Sequence, residues 1–245
     1  MFSCLIRARC WAVFLTALPG VAVRAAEPAS IKPLPQAHAH NDYEHARPLL
    51  DALDRGFCSV EADIWLAPGG LLIGHDRKDV RPGRTLESLY LDPLRERVQA
   101  NGGRVYRGGP MFYLLIDVKT DAEATYAALD KVLTRFADVL SVTRDGKLAP
   151  KAVTVILSGN RASDMIAKQS VRYVGIDGRP ENLDSHSPAE LFPWISANWT
   201  LLFKWNGEGP MAAAEKQKLN DMVKRTHEQG RKLRFWATAE KEAMW

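Results

Sequence analysis

The sequence predicts an α/β protein with a TIM (β/α)8-type barrel that lacks its eighth strand. Short apolar runs alternate with amphipathic segments throughout residues 27–245, which is typical of parallel strands joined by helices. By our count seven of these runs are suitable as strands, one fewer than a closed barrel needs. The chain has 245 residues, about the length that such a barrel uses. We therefore expect one domain over residues 27–245 that is incomplete at its C-terminus.

Residues 1–26 predict a secretory signal peptide. Arg7 and Arg9 form a positive start, residues 11–18 form a short apolar run, and small residues surround Ala25. The apolar run is shorter than a membrane-spanning helix requires. We expect cleavage after Ala25 or Ala26, and hence a secreted or periplasmic protein.

The predicted leader changes what the composition implies. The formal net charge is +4, and removal of the three arginines in the leader leaves +1. A charge this small gives no reason to expect nucleic acid as a partner. Two of the three cysteines also lie in the leader, so Cys58 stands alone in the domain. We therefore expect neither an internal disulfide nor a cysteine metal site.

The candidate strands are apolar or β-branched runs bounded by glycine, proline and polar turns. In chain order they occupy residues 34–40, 58–66, 111–118, 152–157, 171–176, 194–198 and 232–237. The candidate helices occupy residues 46–55, 85–99, 121–140, 163–169 and 211–229, with a short turn near 188–191. Thr120 or Asp121 can cap the third of these helices, and Gly230 follows the last one.

The second candidate strand carries two acidic residues on one face. Side chains alternate along a strand, so Glu61 and Asp63 share a face while Val60 and Ala62 take the other. Because the second face is small and apolar, we expect it to pack under helices and the carboxylates to point into the barrel. Two adjacent carboxylates repel each other unless a cation or a lysine lies between them.

A β-hairpin is predicted to return a histidine to these carboxylates. The second strand is followed by a three-residue loop, residues 68–70, and then by a second apolar run. Pairing Ala67 with Leu71 places Asp63 opposite His75. Directly opposed residues lie about 5 Å apart at Cβ.

The first and third strands supply further polar groups. His38 and His40 share a face at the end of the first strand, and Asp117 and Lys119 share a face at the end of the third. If the second and third strands are neighbours, three carboxylates converge. Such a group favours a hard divalent cation with oxygen ligands, Mg²⁺ or Ca²⁺, and Lys119 could also neutralise part of the charge.

Four motifs together resemble a known group of enzymes. They are His40-Asn41, Glu61-x-Asp63, Gly74-His75-Asp76 and Asp117-Val118-Lys119, and their series resembles that of the PI-PLC-like phosphodiesterase superfamily, with its glycerophosphodiester phosphodiesterases and sphingomyelinases D. Residues 38–43 and 234–238 also resemble the altered inheritance of mitochondria protein 6-like group. The resemblance covers about residues 34–240.

The resemblance implies a role for each matching residue. It implies one divalent cation, Mg²⁺ in the first place and Ca²⁺ as the alternative, and it implies catalytic roles for His40, His75 and Lys119. His38 is an alternative match to the first histidine. Substrate binding is expected of His38, Asn41 and Trp236, and metal binding of Glu61, Asp63 and Asp117. The first motif reads His-Asn, so the phosphate-binding arginine of the glycerophosphodiesterases is missing, and the third metal ligand is aspartate, where those enzymes usually have glutamate.

The expected function is therefore a metal-dependent phosphodiesterase that cleaves a glycerophosphodiester or a phospholipid head group. Water or a neighbouring hydroxyl of the substrate is the nucleophile, and the second route gives a cyclic phosphate first. Two other functions stay open: a metal hydrolase that uses His38-x-His40, as amidohydrolases and related phosphoesterases do, and a non-catalytic barrel that binds a phosphorylated ligand. The aromatic stretch around Lys204 and Trp205 either packs in the core or touches lipid, so we also expect peripheral membrane contact. The sequence leaves the oligomeric state open.

Overall fold

A computed structural model describes residues 31–185 and 187–241. The predicted leader lies outside the described residues. The strands are β1 (Leu34–Ala39), β2 (Phe57–Ala67), β3 (Gly70–Ile73), β4 (Phe112–Val118), β5 (Val142–Arg144), β6 (Lys147–Ala149), β7 (Val153–Gly159), β8 (Val171–Arg172), β9 (Val174–Gly178), β10 (Trp194–Asn198) and β11 (Lys232–Trp236). Six of the seven predicted strands are present as single strands. The predicted strand 171–176 is divided into β8 and β9, which belong to two different sheets.

The main sheet has eight strands. Seven of them are parallel, in the order β1-β2-β4-β7-β9-β10-β11, and β3 pairs antiparallel with β2. The sheet is curled into a half-barrel, as two contacts between distant strands show. Arg234 of β11 reaches Glu61 of β2 at 3.0 Å, and the ring of His38 on β1 lies 6.0 Å from that of Trp194 on β10. Within the described residues no strand ladder joins β1 to β11. The prediction of a TIM-type barrel without its eighth strand is confirmed.

The helices lie between these strands. They are α1 (Leu50–Asp54), α2 (Asp92–Ala100), α3 (Ala122–Thr134), α4 (Ser163–Ala167), α5 (Trp199–Leu202) and α6 (Ala213–Glu228). The five predicted helices are shorter than the sequence indicated, and the short helix after β10 was not predicted. The predicted helix 85–99 is divided into a π-helical turn, Glu87–Leu91, and α2, which has a proline in its first turn. The side chain of Asp121 caps α3, as predicted. In the described part of the chain, no helix is long and apolar enough to cross a membrane.

A second, three-stranded sheet was not predicted. It is antiparallel, in the order β6-β5-β8, and a tight turn at Asp145-Gly146 joins its first two strands. Both turn residues have positive φ angles, 48° and 76°. This geometry favours an Asp-Gly pair, so the dipeptide was a usable signal that the sequence analysis overlooked.

The two faces of the main sheet differ in chemistry, as the alternation in β2 predicted. Val60, Ala62 and Ile64 are fully buried in the large core between sheet and helices. On the inner face, Leu115, Ile156 and Trp194 form a small apolar cluster. Glu61 is paired with Leu115 in the ladder, and Asp63 lies two residues further towards the carboxyl end. The carboxylates therefore lie inside the barrel, above its apolar floor.

The predicted register of the hairpin is wrong by one residue. Ala67 pairs with Gly70 and Ile64 with Ile73, so the loop has two residues rather than three. The ladder strands end at Ile73, and the amide of Gly74 donates to the carbonyl oxygen of Asp63 at 3.3 Å. His75 follows the paired segment, so strand alternation no longer fixes its direction. Its side chain still reaches Asp63.

Gly159 ends β7 next to Asp117. Its φ angle is 67°, and a Cβ atom there would come far inside van der Waals distance of Asp117 Oδ1 and the backbone of Val118. Gly146 has a similar φ of 76°, but open space surrounds its missing Cβ. A comparison of alanine substitutions at the two glycines therefore separates the cost of backbone strain from the cost of steric crowding.

We expect Gly146→Ala to lower the free energy of unfolding by about 1 kcal/mol, the cost of a left-handed alanine. Gly159→Ala should cost at least about 3 kcal/mol, because Asp117 or the end of β4 must also move. Urea denaturation of both variants measures the difference. Equal losses would show that Gly159 supplies only backbone freedom.

Candidate metal and catalytic site

Three carboxylates meet at the carboxyl ends of β2 and β4. Asp63 and Asp117 are register partners, and Glu61 precedes Asp63 on the same face. One oxygen from each of the three lies within 4.8 Å of the others. Glu61 and Asp63 are buried, and Asp117 is partly buried. The sequence predicted that these three carboxylates lie close together, and in the structure they do.

Lys119 lies between two of these carboxylates. Its Nζ is 2.9 Å from Asp63 Oδ2 and 3.0 Å from Asp117 Oδ1. Burial alone would lower the pKa of Lys119, but the hydrogen bond to Asp63 and the charge of Asp117 outweigh it and raise that pKa. The ammonium group is therefore held in its charged form, where it offsets part of the repulsion between the acids.

Glu61 has a different countercharge. Arg234 Nη2 lies 3.0 Å from Glu61 Oε2, and the same oxygen is 3.3 Å from His40 Nε2 and 3.7 Å from His38 Nε2. Burial alone would raise the pKa of Glu61. The adjacent His38 ring and the positive charge of Arg234 outweigh burial and lower the pKa to about 2. Glu61 is thus ionised over the whole physiological range.

Asp63 is held by a tyrosine and a histidine. The hydroxyl of Tyr43 donates to Asp63 Oδ2 at 2.7 Å, and His75 Nδ1 lies 3.2 Å from the same oxygen. The other oxygen, Oδ1, is buried and has no hydrogen-bond partner among the described residues. Burial raises the pKa of Asp63 despite the hydrogen bond from Tyr43 and the charge of Lys119. Its charge is therefore incompletely compensated.

The three histidines occupy different environments. His38 is largely buried, with a side-chain accessibility of 15%, and its Nδ1 lies 2.8 Å from the hydroxyl of Ser59. Burial lowers the pKa of His38 to about 4. His40 and His75 are about half exposed, with side-chain accessibilities of 53% and 51%. His40 lies on the Glu61 side of the cluster and His75 on the Asp63 side. Two accessible imidazoles therefore flank the carboxylates.

The remaining predicted residues are more peripheral. Asn41 has a left-handed backbone, with a φ of 50°, and its Oδ1 lies 3.0 Å from the Tyr43 hydroxyl. Trp236 ends β11, two residues beyond Arg234, and is partly exposed. Among the described contacts, none joins Trp236 to the carboxylates. Asn41 thus touches the site through Tyr43, and Trp236 lies at its edge.

The residues present fit a hard cation. All three candidate ligands are carboxylates, the ligand type that Mg²⁺ and Ca²⁺ prefer. The acids carry three negative charges against the two positive charges of Lys119 and Arg234, so one negative charge remains uncompensated. Asp63 Oδ1 is buried and has no hydrogen-bond partner in the part of the chain that the structure describes, so an uncompensated negative charge on this oxygen destabilises the folded chain. Glu61, Asp63 and Asp117 would hold the ion.

Sequence reasoning missed several residues that build this site. Tyr43 and Arg234 belong to segments that carried the family resemblance, yet neither was given a role. Arg234 could have been found because it shares a strand face with Trp236. Asp42, which is fully buried, accepts hydrogen bonds from the Leu49 amide at 2.5 Å and the Tyr90 hydroxyl at 3.0 Å, and so anchors the segment that places Tyr43.

A second polar network braces the neighbouring strands. The fully buried Asp177 at the end of β9 accepts hydrogen bonds from Ser158 at 2.8 Å, Ser196 at 2.6 Å and Arg179 at 3.0 Å. Arg161 donates to the backbone carbonyl of Asp177. This network joins the carboxyl ends of β7, β9 and β10, and Ser158 is the register partner of Asp117. Asp177 directly follows the predicted strand 171–176, and this position at a strand end was a usable signal.

The AIM6-like phosphodiesterase domain matches residues 28–177, more than half of the chain. This range contains His40, His75, the three carboxylates and Lys119. The chain belongs to the AIM6-like phosphodiesterase family. Arg234 and Trp236 lie beyond the matched range, on the last strand of the sheet.

Relatives with the same family name are found among fungi. The chain is 36% identical over 164 residues to altered inheritance of mitochondria protein 6 of Eremothecium gossypii, a match covering 60% of this chain and 42% of that protein. It is 27% identical over 233 residues to the homolog from Arthroderma benhamiae, covering 85% of this chain and 74% of that protein. The chain thus spans less than half of the first AIM6 relative.

A solved structure has the same fold. It is a calcium-dependent phosphoinositol-specific phospholipase C from a Gram-negative Pseudomonas, in its apo form. The TM-score is 0.51 with 14% sequence identity, and the likeness covers 89% of this chain and 96% of that one. Together with the AIM6-like domain, this places the chain in the PI-PLC-like phosphodiesterase superfamily.

We expect the buried pair of Glu61 and Arg234 to be strongly coupled. In EDTA, Arg234→Met should lower the free energy of unfolding by about 3 kcal/mol, because it leaves a buried carboxylate without its countercharge. Adding Glu61→Gln should recover at least about 1 kcal/mol of that loss. Urea denaturation of the wild type, both single variants and the double variant measures the coupling.

The exposed pair of Arg225 and Asp184 is the matched control for this cycle. Arg225→Met and Asp184→Asn should be nearly additive, since exposed ion pairs contribute little. Additivity at Glu61 and Arg234 as well would mean that closure of the sheet does not depend on this contact.

Proposed function

We propose that the chain is a metal-dependent phosphodiesterase that cleaves a glycerophosphodiester or the head-group phosphodiester of a phospholipid. One observation carries the proposal: two accessible histidines flank a cluster of three carboxylates in which Asp63 Oδ1 is buried and unpaired. A site that only bound a phosphorylated ligand would have no need of paired acid–base groups beside an uncompensated negative charge. The AIM6-like phosphodiesterase domain supports the same activity.

The histidines perform the proton transfers in this proposal. In this proposal the Nδ1–H of His75 donates a hydrogen bond to Asp63 Oδ2. The Nε2 of His75 is then free to take or give a proton at the reacting phosphate. His40 stands at the opposite side, beside Glu61. One histidine removes the proton of the nucleophile, and the other protonates the leaving oxygen. Imidazole suits both roles, because its unperturbed pKa is about 6.5.

His38 is unsuited to proton transfer. It is buried, its Nδ1 is engaged with Ser59, and burial lowers its pKa to about 4, so it stays neutral near pH 7. We propose that it positions Glu61 instead, and that His40 is the first catalytic histidine. Asn41 is proposed to hold Tyr43 and to face the substrate, and Trp236 to contact the substrate at the edge of the site.

The positive groups of the site offset the negative charge of the phosphodiester substrate. A bound divalent cation would act as a Lewis acid that offsets the phosphodiester anion, with Mg²⁺ as the expected ion and Ca²⁺ as the alternative. Glu61, Asp63 and Asp117 would hold it. Lys119 would stabilise the additional negative charge that develops as the phosphate is attacked. Either water or a hydroxyl of the substrate is the nucleophile.

Phosphorus NMR of the full chain tests the activity. The substrates are glycerophosphodiesters, lysophospholipids, sphingomyelin and phosphoinositides, first in EDTA and then with Mg²⁺ or Ca²⁺ restored. We expect turnover only with the ion, and a transient cyclic phosphate if the nucleophile is a substrate hydroxyl. Turnover in EDTA would contradict the metal assignment. Calorimetric titration should show ion binding lost in Asp117→Asn and retained in Asp121→Asn, which removes a carboxylate charge at a helix cap while keeping an oxygen that can accept the Ala124 amide.

The acid–base assignment makes a separate prediction. His40→Asn and His75→Asn should each lower kcat by about 10²-fold or more, the contribution of one general acid or base. His227→Asn is the matched control, because His227 lies exposed on α6. Steady-state kinetics on the best substrate measures all three. Full activity in either site variant would remove that histidine from the mechanism.

A further inference from the structure

The short helix α5 presents an exposed leucine at the carboxyl end of the barrel. Leu201 is 81% exposed, more than any other large hydrophobic side chain in the described residues. The helix directly follows β10, so it stands at the same end of the sheet as the carboxylates. Asn198, at the end of β10, is the register partner of Trp236, which is 39% exposed.

Leu201 is exposed because the opposite side of α5 is already packed. Trp199 begins α5, and Phe203 directly follows the last residue of the helix and donates its amide to the carbonyl oxygen of Trp199 at 2.8 Å. Their rings lie 4.4 Å apart, and both pack edge-on against Phe235, at 5.2 and 5.8 Å. Leu201 is two residues from each of them and therefore points away from this aromatic cluster.

The backbone around Leu201 is held in place. The Asn198 side chain caps α5 by accepting the amide of Thr200 at 3.0 Å, and the indole of Trp199 donates to the carbonyl of Trp205 at 2.7 Å. The indole of Trp205 in turn donates to the carbonyl of Gly209 at 3.0 Å. An exposed apolar side chain on a rigid backbone loses little conformational entropy when it binds a partner, and such exposed apolar surface often marks a binding site.

Two lysines flank this surface. The Lys204 side chain is exposed and forms no salt bridge in the described part of the chain, while its backbone amide donates to the carboxylate of Glu215 at 2.6 Å. Lys218 lies with its Nζ 3.0 Å from the carbonyl of Leu202 and 5.4 Å from the centre of the Phe203 ring. Positive charge beside exposed leucine and tryptophan is the composition of a surface that binds anionic lipid.

We propose that the rim surface, formed by Leu201, Lys204 and Trp236, docks the chain onto an anionic lipid bilayer. This inference rests on the proposed function, because the surface borders the mouth of the same site and would deliver it to phosphodiesters embedded in a membrane. Leu201 inserts among the acyl chains, Trp236 lies at the level of the head groups, and Lys204 faces the anionic lipids. The substrate class is thereby narrowed to lipids presented in a bilayer.

Co-sedimentation with vesicles tests the docking without using activity. The vesicles contain phosphatidylcholine with or without a minor fraction of phosphatidylglycerol. We expect the full chain to bind the anionic vesicles more tightly, and Leu201→Ser to lower that affinity about tenfold, in line with the loss of one buried leucine. Lys204→Gln should lower it less, and high salt should abolish the difference between Lys204→Gln and wild type.

Leu148→Ser is the matched control. Leu148 is 42% exposed on β6, which precedes β7 and so lies at the amino end of the barrel. It should bind vesicles as the wild type does. Equal affinities of Leu201→Ser, Leu148→Ser and wild type would overturn the inference. A wild-type dimer that Leu201→Ser converts to monomers would also overturn it, because a second copy would then cover this surface.

Turnover of a soluble glycerophosphodiester separates this inference from the proposed function. Turnover without vesicle binding would reject the proposed docking surface and support the proposed phosphodiesterase activity. Vesicle binding without turnover of any phosphodiester would reject the enzyme and leave the docking surface. If both hold, Leu201→Ser should lose turnover on vesicles by about the same factor as affinity, and keep it on the soluble substrate.

Discussion

The mutual repulsion of Glu61, Asp63 and Asp117 is the constraint on which this half-barrel depends. Three carboxylates on two neighbouring strands would disfavour the folded chain if nothing offset them. Lys119 comes from the same strand as Asp117 and is supplied locally. Arg234 comes from the last strand of the sheet, 173 residues after Glu61. The sheet must curl for this contact to form, so the electrostatics of the site and the curvature of the fold support each other.

The sequence was informative wherever a local rule decides the geometry. Strand alternation placed Glu61 and Asp63 on the inner face, and the carboxyl-end rule for parallel strands brought Asp117 to them. Prediction failed where the outcome depends on a choice between near-equal local structures. A two-residue and a three-residue hairpin loop both suit Pro68-Gly69-Gly70, and only the packed structure selects the first. His75 nevertheless reached Asp63, because it lies beyond the paired residues.

Contacts between distant segments could not be read from the sequence for a different reason. The partner of Arg234 depends on how far seven strands twist and curl together, a property of the whole sheet rather than of any segment. The distinction between His38 and His40 is of the same kind. Both share a strand face, but the surrounding strands bury one and leave the other at the surface, and burial is what separates a neutral positioning group from an accessible acid or base.

The chain divides its tasks between its two parts. The proposed acid–base and ligand groups all lie within residues 28–177, the range that matches the AIM6-like phosphodiesterase domain. The later segment from β10 to β11 adds Arg234, which offsets the charge of Glu61, and the residues of the proposed rim surface. Because Arg234 and Trp236 share one face of β11, a shift of that strand would change both together. In the proposed function, one strand therefore carries both the countercharge of Glu61 and a residue that contacts the substrate.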